Sequence, residues 1–368
     1  MADDIGSPRS RALRQSGTAD RSGSTFAPVT NDVETTFRVH APGRVNLIGE
    51  HTDYTGGLAF PMAIDRGITL TETAAQGSIE LTSADGPGQV DLRLPFDGNP
   101  SSVEPQWGSF IAGMAKELGA TSGFRGHLVS DIPAGAGLSS SAALECAIGR
   151  ALGFAGTPLE LAQTARRAEH AATGVPTGIM DQLCIAAATA GHATLIDCHE
   201  LTVEHVPVPD DIDVVVRFIA HRTLLGSAYA ERVAQCASAE AEIGPLRTAT
   251  LDQVAMIDDD IIRRRARHVV TENERVRQFA GALRRADYPE LGRLMATGHA
   301  SLRDDYDTST QQMDAAVDEL NATAGVFGAR MTGGGFGGCL VAICEPGTIR
   351  DGWVVSASAG ARVLPPAG

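Results

Sequence analysis

Strand-like and helix-like spacings alternate along the front half of this chain and give way to helices in the back half. Alternating and β-branched runs predict strands at 36–40, 67–73, 78–83 and 89–94. Trp107, Phe110, Ile111, Met114 and Leu118 share one face of a helix predicted over 103–118. A strand at 124–130, a glycine-serine run and an Ala-rich helix at 142–152 follow. The next helix, 157–173, starts with Pro158, where a missing N–H costs nothing. Alternation returns at 193–196 and 201–207, and an apolar strand at 212–220. Helices are predicted at 226–243, 258–285, 288–302 and 310–324, then an apolar strand at 340–344. Early in the chain, the apolar beat Val45, Leu47, Ile48 suits a buried strand edge with polar groups at its end.

Two stretches lack the pattern. Residues 1–34 are rich in Ser, Gly, Thr, Asp and Arg, with too few apolar groups to offset ordering entropy, and are expected to form a disordered tail. Pro207, Pro209, Asp210 and Asp211 interrupt it again, which predicts domains at 35–207 and 208–368.

Composition narrows the function. At 368 residues, 43% hydrophobic and 20% charged, the chain is long enough for two domains of ordinary soluble make-up. A net charge of −15 argues against nucleic acid as a partner, though not against a nucleotide, which needs only a local site. No stretch reaches the roughly 18 apolar residues of a membrane span. The N-terminal arginines have no apolar run behind them, unlike a signal peptide. Cys146, Cys184, Cys198, Cys236, Cys339 and Cys344 form no C-x-x-C pair. They read as reduced core thiols of a cytoplasmic protein rather than a zinc site. Lys116 is the single lysine, so phosphate charge must be met by backbone, hydroxyls, arginine or a metal ion.

Candidate chemistry concentrates in short runs. Gly43-Arg44-Val45-Asn46-Leu47-Ile48-Gly49-Glu50-His51-Thr52-Asp53-Tyr54 opens on an arginine and closes on a dense polar cluster. Such a cluster suits a ligand with several hydroxyls, such as a sugar; a solvated turn is the plainer alternative. Gly135-Ala136-Gly137-Leu138-Ser139-Ser140-Ser141 lies between a predicted strand and helix. Glycines admit close backbone approach, and the helix N-terminus offers free N–H groups to an anion. A turn with a serine N-cap is the alternative. No Gly-Lys-Ser/Thr follows, so this is not a Walker A loop. Asp181, in Thr177-Gly178-Ile179-Met180-Asp181-Gln182, has neighbours that predict poor solvation; alone it reads equally as a helix N-cap or structural acceptor. Glu169, beside His170, reads alone as a solvated helical charge. Five glycines within 333–338 suggest close backbone packing against a site.

In this order the motifs resemble the GHMP family of small-molecule kinases, and the first resembles its galactose-specific branch. The resemblance spans residues 38–345. It takes in Thr271-Glu272-Asn273-Glu274-Arg275-Val276, His299-Ala300-Ser301-Leu302-Arg303-Asp304-Asp305-Tyr306 and the stretch 331–339. It implies a two-domain α+β fold with the active site in the cleft between domains. It also implies ATP-dependent phosphorylation of galactose, or of a relative such as arabinose, at the anomeric hydroxyl. By the same resemblance, Arg44 stabilises charge on the transferring phosphoryl group. Glu50, His51, Thr52 and Asp53 hold sugar hydroxyls, with Tyr229 a further sugar contact. Gly135, Ala136, Gly137, Leu138, Ser139, Ser140 and Ser141 wrap the ATP phosphates, and Ser141 and Glu169 hold Mg2+. Asp181 faces the C1 hydroxyl as base or orienting group. A monomer is expected, without membrane or nucleic-acid partners. Some relatives bind sugar and ATP without turnover, and some of those lack a Ser-Ala pair in the serine loop; Ser141-Ala142, Asp181 and Arg44 favour an enzyme. The chain departs from the pattern at Phe218-Ile219-Ala220-His221, where a more polar segment is expected.

Overall fold

Strand β1 runs unbroken from Thr36 to Ile48, so the two short apolar stretches read separately in the sequence are one element. Its register shifts between Pro42 and Arg44, a bulge that bends the strand and disguises it. Beyond the bulge Arg44 and Asn46 are buried as well as Val45, Leu47 and Ile48, which removes any alternation. The computed structural model of the protein describes residues 36–133, 135–221 and 227–365. The tail expected at 1–34 lies outside them, as do Ala134 and Gly226.

Strand β2 (Leu58–Gln76) returns antiparallel to β1, and the strand expected at 67–73 is only part of its second half. Next come β3 (Ser78–Ser83), β4 (Gln89–Arg93), α1 (Gly108–Glu117), β5 (Ser122–Ser130), α2 (Ser140–Ala151) and α3 (Pro158–Thr173). Helix α1 starts later than its apolar face suggests. Pro105 keeps Glu104 out of helical geometry and offers no N–H of its own. Helix α3 begins with a capping box, Thr157 with Glu160, and ends on left-handed Gly174. Helix α4 (Met180–Ala187) shows no period in the sequence, because it is short and buried on most sides; Asp181 is its second residue, and the N-cap position belongs to Ile179. Strands β6 (His192–Asp197) and β7 (Thr202–Pro207) follow.

The chain continues through β8 (Asp213–Ala220), α5 (Ser227–Ile243), α6 (Leu251–Val254), α7 (Asp260–Arg284), α8 (Tyr288–Asp304) and α9 (Gln311–Asn321). It closes with β9 (Val326–Thr332), β10 (Gly338–Cys344), β11 (Trp353–Val355) and β12 (Arg362–Leu364). One sheet has the order β12-β1-β2-β5-β3-β4, with β6 against the start of β2 and β7 beside β6. The other has the order β11-β8-β10-β9. One core cluster joins the first sheet and helices α1 to α4 and continues into α7, α8 and one face of β8 and β10; a second packs β8, β9 and β10 against α5, α7 and α9. The sheets meet where Thr332 of β9 accepts from the N–H of Asn46 (3.1 Å) and donates to its carbonyl (2.8 Å). That clasp sets the turn after β1 against the glycine run after β9. No described helix is long and apolar enough to cross a membrane.

Candidate active site

The turn after β1, the loop before α2, the start of α4 and the glycine run between β9 and β10 surround one cavity of about 870 Å³. Its lining brings together Arg44, Glu50, His51, Asp53, Gly135, Gly137, Leu138, Ser139, Ser140, Ser141, Glu169, Asp181 and Tyr229. Two of the expected residues are absent from that lining. Thr52 is fully buried, and its hydroxyl is spent on the carbonyls of Gly49 (3.0 Å) and Leu58 (2.6 Å), so it builds the turn instead of facing a ligand. Ala136 packs into the core as the spacer between two glycines.

The loop before α2 depends on backbone that side chains rarely allow. Gly135 and Gly137 hold φ at 71° and 75°. Ser139 also sits left-handed, at φ 62°, and does not cap α2. Its hydroxyl donates to Asp181 instead. The N-cap alternative is therefore wrong for Ser139, and the first N–H groups of α2 have no side-chain cap. The loop is pinned to β1, where the N–H of Arg44 donates to the Leu138 carbonyl at 3.1 Å.

Asp181 sits in the first turn of α4, facing Arg44 of β1. Nε and Nη2 of Arg44 each donate to a carboxylate oxygen at 2.8 Å, a two-point fork, while Nη1 donates to the Gly137 carbonyl at 2.9 Å. Arg44 is buried, and its geometry joins the phosphate loop to the carboxylate. A carboxylate has about four lone-pair sites. The arginine takes two and Ser139 one, which leaves room for one more donor.

Glu169 is no solvated helical charge. Its Oε1 accepts from the Ser141 hydroxyl at 3.1 Å; its Oε2 accepts from Thr177 (2.8 Å) and Gln182 (2.9 Å). Gln182 also reaches the wholly buried Glu145 at 3.2 Å. Burial, with the charge of Glu169 adding to it, pushes the Glu145 carboxyl well up.

At the other end, Glu50 pairs with Arg330 Nη2 at 2.5 Å and accepts from the Gly333 N–H at 3.4 Å. Burial, with the charge of Glu272 adding, lifts its pKa to about 7 against the pull of Arg330. Arg330 Nη2 also bonds Glu272 at 2.9 Å. Burial works against the Glu272 carboxylate too, but Arg330, Arg275 and His268 together hold it well below the usual range. Asp53 is lifted to about 6, first by burial and then by the charge of Asp181. It lies directly over Gly178: a Cβ there would fall 1.8 Å from Asp53 Oδ2. The rings of His51 and Tyr229 stand 5.7 Å apart at the same end.

Sequence reasoning misses several lining groups. Ser101, Gln106, Ser109 and Phe110 border the cavity, although Phe110 reads from its spacing as packing alone. His221, in the segment that departs from the family pattern, lies beside the phosphate loop. A Cβ on Gly135 would be 3.0 Å from its Nδ1. Arg330 stands just before the motif at 331–339, and nothing local marks it as an ion-pair partner.

The chain is similar to known proteins over most of its length. Residues 24–71 match the galactokinase galactose-binding signature. Residues 109–191 match the GHMP kinase N-terminal domain, and 279–352 the C-terminal one. A galactokinase of Bos taurus is 41% identical over 331 residues, 85% of this chain and 84% of that protein. One of Roseiflexus is 43% identical over 334 residues, with the same coverage of 85% and 84%. The crystal structure of Lactococcus lactis galactokinase complexed with galactose superposes with a TM-score of 0.84 at 31% identity, covering 92% of this chain and 98% of that one. A mevalonate kinase structure, at 22% identity and a TM-score of 0.60, shares the fold. Sequence kinship over most of both chains and a shared fold thus lead to one conclusion: the chain belongs to the galactokinase family of GHMP kinases.

Proposed function

We propose that the chain transfers the terminal phosphoryl group of ATP to the C1 hydroxyl of galactose. The observation that carries this reading is the Arg44–Asp181 fork. It stands between a loop built for phosphates and a turn built for hydroxyls. Phosphoryl transfer needs in-line positioning and charge stabilisation more than covalent help. The open lone pair of Asp181 orients the C1 hydroxyl and draws on its proton. Arg44, anchored on Gly137, holds Asp181 in place and offers positive charge to the transferring group. The loop N–H groups and Ser140 receive the phosphates, with His221 beside them. Ser101, Gln106 and Phe110 form the side of the cavity that receives the nucleotide base. Glu50, His51, Asp53 and Tyr229 hold the sugar. ADP release over a panel of purified sugars tests the reading. Galactose should give the highest kcat/KM and galactose 1-phosphate as product. Preference for arabinose, or binding without turnover, would overturn it.

Magnesium fits the residues present. Ser141 Oγ and Glu169 Oε1 are hard oxygen donors 3.1 Å apart. Magnesium is a hard cation that prefers oxygen ligands, commonly keeps waters and takes few protein ligands. Bound there, it would neutralise phosphate charge. Thr177 and Gln182 keep the Glu169 carboxylate turned toward Ser141. Glu169→Gln should raise the Mg2+ concentration for half-maximal rate about tenfold and leave galactose affinity unchanged. An unaltered Mg2+ dependence would reduce Glu169 to a structural residue.

Gly178 is proposed to give Asp53 its place. Gly178→Ala should displace that carboxylate and raise the galactose KM about tenfold, with the ATP KM nearly unchanged. Equal loss for both substrates would point to a general distortion of α4.

The division at 207/208 is part of the proposal; β1 to β7 share one sheet and β8 to β11 the other, while the final strand β12 returns to pair with β1. So is a cytoplasmic monomer. Buried thiols such as Cys146, Cys184 and Cys198 suit a reducing compartment, and residues of a single chain suffice to line the cavity.

A further inference from the structure

One motif is left idle by this chemistry, the run 299–306 that ends on Tyr306. The Tyr306 side chain is fully buried. Its hydroxyl meets that of Tyr54 at 2.5 Å and the Cys236 sulfur at 3.1 Å. The Tyr54 hydroxyl lies 3.0 Å from Nδ1 of His51. The turn after β1, helix α5 and the segment after α8 thus contribute to one line of hydrogen bonds. It ends on an imidazole at the cavity wall. The ring of Tyr306 also lies 4.7 Å from that of His51. His51 itself sits at φ 63°, a left-handed conformation that residues other than glycine rarely keep without support.

Such a line has a direction, because each hydroxyl has one proton to give. In one direction Cys236 donates to Tyr306, Tyr306 to Tyr54, and Tyr54 to Nδ1 of His51. In the other, Nδ1–H donates to Tyr54 and the line ends on sulfur as acceptor. Sulfur accepts weakly, whereas an unprotonated imidazole nitrogen accepts well. The first direction puts both phenols on good acceptors, each bond polarising the next. A neutral imidazole that accepts at Nδ1 carries its proton on Nε2.

We infer that Tyr54 and Tyr306 are positioning residues for sugar recognition: they hold His51 as its Nε2–H tautomer, a donor to a galactose hydroxyl oxygen. This rests on the assignment of His51 to the sugar. A donor at Nε2 has a consequence for specificity. It tolerates fluorine in place of the contacted hydroxyl better than hydrogen, because fluorine still accepts weakly. An acceptor at Nε2 would reject both alike.

Long-range proton–nitrogen NMR on the full-length, histidine-labelled protein tests the tautomer, with His51 identified by its loss in His51→Gln. The expected wild-type pattern is Nε2–H. Tyr306→Phe keeps the ring and removes the link. It should lose that bias and raise the galactose Kd about fivefold, with the ATP Kd within about twofold. Among mono-deoxy and monofluoro galactoses, one ring position should favour fluorine in the wild type, and the preference should vanish in Tyr306→Phe. A wild-type Nδ1–H pattern overturns the inference whether or not the variant folds. So does an unchanged pattern and affinity in Tyr306→Phe. If His51→Gln binds galactose normally, the sugar assignment fails and the inference with it; the tautomer pattern tells these failures apart.

Discussion

Replacing Asp181 by Asn is expected to lower kcat by about a thousandfold, ~4 kcal/mol in barrier, while both substrates still bind. The amide keeps the shape of the carboxylate but loses one acceptor oxygen. It presents an N–H2 to a position where Arg44 and Ser139 already donate. One of those donors is then left facing another donor, and the C1 hydroxyl loses the group that orients it. Arg44 is buried, so weakening its partner also costs stability, and the melting temperature should fall by a few degrees. Calorimetry should give ATP and galactose affinities within about threefold of wild type, since each touches many other groups. Single-turnover rates separate the chemical step from product release. A variant that keeps turnover within about tenfold would remove Asp181 from the reaction and leave it a structural partner of Arg44.

Asp181 also marks how far the sequence can be read. Its neighbours predict poor solvation, but they do not reveal that Arg44, 137 positions earlier, forks onto it. Chemistry concentrated in short runs is legible: the polar cluster after β1, the glycine-serine loop and the last glycine run all reach one cavity. Pairing across the fold is not legible, because nothing local in the chain encodes it. Ser139 illustrates this. By position it is a helix cap, yet its left-handed backbone turns the hydroxyl to Asp181. Thr52 fails in the opposite way: it sits among ligand-facing residues, but the turn itself consumes its hydroxyl. Elements follow a similar rule. Strands with one wet face and helices with one apolar stripe announce themselves, as α3 and α7 do. The far half of β1 and the whole of α4 are buried too evenly to show a period.

Arg330 is the largest omission, and its removal should have the largest effect on stability. This guanidinium is fully buried and joins Glu50 of the sugar turn to Glu272 of α7. Arg330→Met keeps much of the volume and leaves two buried carboxyls without their shared cation, at a cost of about 3–5 kcal/mol near neutral pH. The cost should depend on pH. In the wild type Glu272 has a depressed pKa, so its contribution is present above the unfolded value and fades as pH falls below it. Glu50, lifted to about 7, behaves oppositely; its contribution is present at low pH and is lost as pH rises through 7. Without Arg330 both carboxyls shift upward, and a protonated carboxyl no longer needs a cation. The stability gap between wild type and variant should therefore be widest above pH 7 and shrink toward about pH 5. Thermal melting of both proteins across that range measures it. Adding Glu272→Gln to the variant should recover part of the loss at pH 8, because one buried charge has gone. The carboxyl of Glu272 also accepts from the Gly49 N–H, so the surviving amide oxygen still anchors the turn that carries His51 and Asp53. A gap that stays constant with pH, or a double variant no better than the single, would mean that Arg330 stabilises by packing and that the charges of Glu50 and Glu272 are satisfied by other groups.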